Sequence, residues 1–296
     1  MTDSGEKPFR FGVNMLMPSA RADWVEKCRK AEATGYDVIG VADHLMMPPP
    51  FPALVLAAEA TERVRLCTFV LNAGFYNPTL LAREIAGTDQ FTDGRIELGL
   101  GAGYVKMEFE AAGIPWPTAG RRVDHLEHTV KELKRLLSDP GHQPPPLQNQ
   151  GPPLLIAGRG DRVLTLAAEH AEIIGLSGAA SGKDGEPLTL DSAEGIDERI
   201  AFVRGLLGAR AADVELNVLI QAVLITEDRR SVLAEFQPRV PNLTVGQLGE
   251  IPTAAVGTPR QIADQLLAHR ERFGFSYFTV VESHQDAFAP VIELLR

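Results

Sequence analysis

The chain has 296 residues, 45% hydrophobic and 23% charged, the balance of an ordinary globular protein with a core to bury. A net charge of -10 argues against nucleic acid or an anionic membrane surface as the main partner, and no apolar run approaches the roughly 20 residues of a membrane span. The polar N-terminus argues against a signal peptide, and Cys28 and Cys67 lack metal-type spacing, so both are expected as reduced thiols of a cytoplasmic protein.

Short apolar runs alternate with longer segments of helical spacing. Residues 11–15 read as a first strand and 22–33 as a helix, then 37–41 and 52–61 as the next pair. A third strand at 64–70 precedes a helix from Asn77-Pro78 to Phe91, with Pro in the first turn where helices accept it. Asp93-Gly94 turns the chain into a fourth strand at 95–100. The helix at 119–137 sets Val123, Leu126, Val130, Leu133 and Leu137 on one face, leaving His125 and His128 on a face expected to be solvated. A Pro-rich connection at 139–153 leads to a strand at 154–157, a helix at 162–170 and a strand at 173–176. The polar stretch 177–194 is longer than a usual connection and reads as an insertion, a candidate lid. A helix at 196–207, a strand at 215–225, a helix at 230–237, an irregular stretch at 240–258, a helix at 259–273 and a strand at 276–281 complete the chain. Eight strands with intervening helices predict a single α/β domain, a (β/α)8 TIM barrel spanning 1–296.

In such a barrel everything just past a strand converges on one rim. Asp43-His44 closes the second strand there, and an imidazole beside a carboxylate suits proton transfer near neutral pH, although the pair would equally serve a loop or helix cap. Gly99-Leu-Gly-Ala-Gly-Tyr104 follows the fourth strand, and Gly101 and Gly103 allow a ligand to approach the backbone or simply form a tight turn. Gly158-Arg-Gly-Asp161 follows the fifth and opens a helix, so the amides around Gly158 and Gly160, with the charge of Arg159, suit a phosphate; Asp161 alternatively reads as an N-cap. Met15, Met46, Phe51 and Ser177 line the expected substrate mouth. The His-x-His of metal-dependent barrel hydrolases is missing after the first strand, where Val13-Asn-Met-Leu16 stands, and no metal is expected.

At this point the chain resembles the luciferase-like superfamily of flavin- and deazaflavin-dependent barrels. The resemblance rests on motifs in order: Ala31-Glu-Ala-Thr-Gly-Tyr36, Val41-Ala-Asp-His44, Arg65-Leu-Cys-Thr-Phe-Val-Leu-Asn72, Tyr76-Asn-Pro78, Asp93-Gly-Arg-Ile-Glu-Leu-Gly-Leu-Gly-Ala-Gly103, Glu108-Phe109 with Gly113-Ile-Pro115, and Pro153-Leu-Leu-Ile-Ala-Gly158. It implies that His44 is the active-site histidine beside the reactive ring, that Asp43 orients the cofactor, and that Phe69-Val70 forms a non-proline cis peptide under the ring. It further implies that Asn72 faces the ring edge and that Gly103, Tyr104 and Gly158 to Gly160 hold the sugar-alcohol chain and phosphate. The compact chain is similar to the branch that uses coenzyme F420, with FMN and oxygen as the alternative, a non-catalytic cofactor-binding homologue as a second, and a homodimer as the expected assembly. Sugar-phosphate dehydrogenases of that branch carry a tryptophan where this chain has Pro48, and an acid near the position of Tyr104. The segment Met46, Met47, Pro48, Pro49 and Phe51 instead suggests an apolar mouth.

Overall fold

A computed structural model describes residues 7–180 and 189–296. Eight parallel strands close a barrel: β1 (Arg10–Met15), β2 (Val38–Val41), β3 (Arg65–Thr68), β4 (Ile96–Gly101), β5 (Leu154–Gly158), β6 (Ile173–Leu176), β7 (Glu215–Ile220) and β8 (Tyr277–Val281). β8 pairs with β1, as Asn14 with Val281, and β3 pairs with β4, as Leu66 with Ile96, so no edge remains within the ring. Each strand end therefore faces one mouth, as the alternation of elements predicts.

Strand pleating divides the side chains between two cores. Phe11, Val13 and Met15 of β1 pack outward with Trp24, Cys28 and Ala31 of α1 (Arg21–Ala33). The lumen is filled by Val38, Cys67, Leu155, Ile173 and Tyr277, with Phe69, Val70 and Ala157 packed against them. Both cysteines are buried free thiols. At the N-terminal end of the barrel, Arg10 bridges Glu97 at 2.7 Å and Glu215 at 2.5 Å, while Arg65 Nε reaches Glu97 at 2.6 Å. This ionic layer plugs the bottom and leaves the opposite mouth for chemistry.

The helices begin where their first residues allow. Pro49 precedes α2 (Pro50–Ala60), whose N1 proline needs no amide partner, so the helix starts two residues before its expected position. Asn77 caps α3 (Pro78–Phe91), and a short α4 (Lys106–Ala111) follows the loop after β4. Thr118 caps α5 (Ala119–Leu137), which buries Leu126, Val130, Leu133 and Leu137 as its spacing predicts. Next come α6 (Asp161–His170), α7 (Ala193–Leu207), α8 (Arg229–Phe236), α9 (Val245–Leu248), α10 (Pro259–Phe273) and α11 (Gln285–Leu295).

Two expectations are corrected. The strand expected over 215–225 breaks after Ile220, and its second half, Ala222–Ile225, leaves the ring to pair in parallel with Ala254–Gly257. The stretch expected to be irregular thus contains both that strand and α9, which Thr244 and Gln247 close with a capping box. Of the candidate lid at 177–194, residues 181–188 lie outside the described residues; within the rest, Ala179–Ala180 and Thr189–Leu190 pair antiparallel.

Candidate active site

Four loops converge at the mouth. The β2 strand ends into Asp43 and His44; β3 ends into the Phe69–Val70 peptide, which is cis, and then the short strand Leu71–Asn72 beside β4. That is the conformation the family resemblance implies at this position.

His44 Nδ1 lies 2.9 Å and 3.1 Å from the two carboxylate oxygens of Glu108, and the Leu45 amide donates to the same carboxylate at 3.3 Å. A carboxylate accepts only, so Nδ1 carries a proton; Nε2, which holds the lone pair in the neutral ring, has no hydrogen bond to any described residue. Glu108 sits on α4, which Phe109 anchors: its ring is 1% exposed and packs edge-on against Trp116 at 5.0 Å and tilted against Phe75 at 5.3 Å. Burying that ring is worth roughly 1.5–3 kcal/mol, enough to hold so short a helix in place. Tyr104 stands edge-on to His44, centroids 5.9 Å apart.

Asp43 plays a different part. Its Oδ2 accepts from the Asn72 amide at 3.0 Å, and the Tyr76 hydroxyl donates to it; burial raises its pKa while these bonds and His44 oppose the rise. The side chain therefore braces the loop after β3 beside the histidine. Asn72 is also turned into its own loop, its Oδ1 accepting from Gly74 N at 3.0 Å. A Cβ on Gly103 would stand 2.2 Å from that Oδ1, and Gly103 has φ of +74°, so only glycine fits there. Gly101 lies against Val70, and His125, expected on a solvated face, is half-buried and donates from Nε2 to the Ala73 carbonyl at 3.0 Å.

The phosphate-type segment is placed at the same end. Gly160 is the N-cap of α6, without a side-chain cap, and a Cβ there would meet nothing within 4 Å. Asp161 is the first helical residue rather than the cap, and pairs with Arg199. Gly158 packs against Val163. Arg159 is bound by Asp191, Nε to Oδ2 at 2.7 Å and Nη2 to Oδ1 at 2.6 Å, so its charge is already committed. Of the other cations near this edge, Arg162 pairs with Asp124, Arg121 with Asp124 and Lys106 with Glu110. Arg122 has no carboxylate partner among the described residues: it lies 3.9 Å over the Trp116 ring and donates to the Gly103 and Pro117 carbonyls. An uncapped helix start, open space at Gly160 and this cation fit an anionic cofactor tail.

The expected substrate wall changes. Met15 is fully buried in the layer between barrel and helices, because pleating sends Asn14 into the lumen and its neighbour outward. Phe51 packs against the same outer core, Met46 is exposed, and Ser177 donates to the Ala179 carbonyl at 3.1 Å. Glu282, past β8, accepts from the Leu16 and Met17 amides at 2.8 Å and pairs with Lys27. Among the described residues no group of three or more His, Cys, Asp or Glu side chains is placed to hold a metal.

The chain belongs to the luciferase-like monooxygenase family, whose profile matches residues 8–236. Its relatives divide between two cofactors. It is 25% identical over 255 residues to the FMNH(2)-dependent dimethylsulfone monooxygenase of Pseudomonas putida, covering 71% of this chain and 67% of that one. It is 32% identical over 123 residues to the F420-dependent glucose-6-phosphate dehydrogenase of Amycolatopsis mediterranei, covering 38% of this chain and 37% of the relative. The fold matches an F420-dependent secondary alcohol dehydrogenase in complex with an F420-acetone adduct at TM-score 0.74 and 18% identity, over 98% of this chain and all of that one. The tetrahydromethanopterin reductase of Methanopyrus kandleri, also F420-dependent, matches at 0.74 and 16% identity, over 97% of this chain and 98% of the other. A flavin or deazaflavin oxidoreductase chemistry is therefore the family's.

Proposed function

We propose that the protein is an oxidoreductase moving a hydride between coenzyme F420 and a small organic substrate, an alcohol or a C=C, C=N or C=O acceptor, with His44 as the proton partner. The observation that carries this reading is the His44–Glu108 pair past the end of β2, which leaves Nε2 as the nitrogen for proton exchange at the same mouth as the cis peptide. A bound deazaflavin supplies the hydride acceptor or donor. His44 takes the substrate proton at Nε2 in one direction and returns it in the other, while Glu108 stabilises the imidazolium. Phe69 and Val70 would hold the ring, and Asp43, through Asn72 and Tyr76, keeps their loop in place. The backbone of Gly158 to Gly160 and Arg122, rather than the Asp191-bound Arg159, would hold the phosphate end, with Gly101, Gly103 and Tyr104 binding the chain between.

The similarity to the Pseudomonas putida enzyme supports FMN and oxygen as a second reading. Titrating the apoprotein with each cofactor separates the two by fluorescence. F420 binding, followed by turnover of alcohols or enones that falls about 10²–10⁴-fold in His44→Ala, is the expected result. Binding of FMN alone with oxygen consumption overturns it in favour of a monooxygenase. Binding of F420 without turnover makes the chain a cofactor-binding homologue.

A further inference from the structure

Asn14 lies at the C-terminal end of β1, opposite Gly40 of β2, with its amide in the lumen. It is 4% exposed, yet its Oδ1 has no hydrogen-bond partner. Buried amides are satisfied in native proteins, so an orphan at a barrel mouth points to a donor that arrives with a ligand. A Cβ on Gly40 would stand 3.0 Å from Phe69 Cβ and 3.4 Å from Asn14 Oδ1, so the oxygen lies close to the residue that begins the cis peptide.

The surroundings restrict what enters. Asp43 is bonded to Asn72 and Tyr76, Glu108 to His44, Glu282 to two amides and Lys27, and Arg159 to Asp191. Among the described residues, an ionic group of a substrate would lose its hydration there without meeting an uncommitted countercharge other than Arg122, which the reading above gives to the cofactor tail. Meanwhile Met17, Leu45, Met46, Tyr104 and Met107, which follow the strands at this end, are exposed. An apolar rim over a polar, uncharged floor selects by shape and hydrogen bonding.

We propose that the substrate is an uncharged molecule with an apolar body and two neighbouring polar groups. One is the reacting hydroxyl or carbonyl at His44 Nε2; the other donates a hydrogen bond to Asn14 Oδ1, which makes Asn14 a specificity-determining residue. The inference rests on the hydride-transfer reading above. In the oxidative direction the carbinol carbon gives its hydride to the oxidised cofactor and its O–H proton goes to His44 Nε2, leaving a carbonyl, while the group on Asn14 keeps its proton. Sugar phosphates, the substrates named for several relatives, fall outside this class.

The vicinal cyclohexanediol, cyclohexanol and glucose 6-phosphate test it on the full chain with its bound cofactor. The diol is expected to exceed cyclohexanol in kcat/KM by about tenfold, the worth of one hydrogen bond to a buried polar group, and glucose 6-phosphate to show no turnover. Asn14→Leu and Asn14→Ala, checked for folding by circular dichroism, are expected to erase the diol's advantage without changing cofactor affinity. Turnover of glucose 6-phosphate, a diol preference that survives both variants, or a loss confined to cofactor binding overturns the proposal. A second arm needs no cofactor: NMR of the labelled apoprotein follows the Asn14 side-chain amide, which the diol shifts and glucose 6-phosphate does not. A silent amide overturns the proposal by itself. A shifted amide in a chain that binds neither F420 nor FMN upholds it and overturns the hydride-transfer reading alone.

Discussion

Glu108 fixes Nδ1 of His44 as a nitrogen that carries a proton, and nothing in the local sequence links residues 64 apart. Asp43 is the carboxylate that adjacency suggests as a partner, yet it faces the neighbouring loop, because side chains of consecutive residues diverge at a strand end. Glu108→Gln keeps an acceptor but removes the charge that steadies the imidazolium. It is expected to lower kcat by about 10–100-fold, as loss of a partner to a working imidazole does, with cofactor affinity retained by titration. Gly103 supplies a structural counterpart. Gly103→Ala sets a methyl against Asn72 Oδ1 at a left-handed φ, so a loss of about 1–3 kcal/mol in urea unfolding is expected. Met15 and Asn14 show the limit of reading a rim from sequence: both end β1, and only the pleat decides which one enters the lumen.

At the scale of elements, long periodic helices and apolar strands were legible, and short ones were not. α5 and α10 begin and end where capping residues and spacing place them. α4 has six residues, too few for a period to declare itself, and it exists because Phe109 is buried beneath it. The Ala222–Ile225 strand continues the apolar run of β7, so its departure from the ring is visible only in its pairing with Ala254–Gly257. α10 is tied to this region by His269, whose Nε2 donates to the Glu250 carbonyl at 3.1 Å. Burial lowers the His269 pKa to about 4, against an ordinary 6.5. The unfolded chain therefore binds that proton more readily, and stability is complete above about pH 6.5 and falls as the pH drops toward 4, by about 3 kcal/mol. Urea midpoints across this window should fall less steeply in His269→Gln than in the wild type; parallel slopes would show that the group is not responsible.

Over the whole molecule, the barrel separates stability from chemistry along its axis. The bottom holds buried Glu97 and Glu215 and half-buried Arg10 and Arg65 in one ionic layer; the mouth holds His44, Glu108 and the orphaned Asn14. Arg10→Met leaves Glu215 without an ion-pair partner among the described residues and Glu97 with Arg65 alone. It is expected to cost about 3–5 kcal/mol in chemical denaturation while the cofactor affinity of the folded fraction stays unchanged. The eight-strand alternation, the strand-end Asp43-His44 and the glycine segments were determined by the sequence alone, because period, propensity and turn chemistry are local. Ring closure, the carboxylate that holds His44, the commitment of Arg159 to Asp191 and the inward face of Asn14 were decided only by tertiary structure. Each of these joins residues that lie apart in the chain or depends on a strand register that no local pattern encodes.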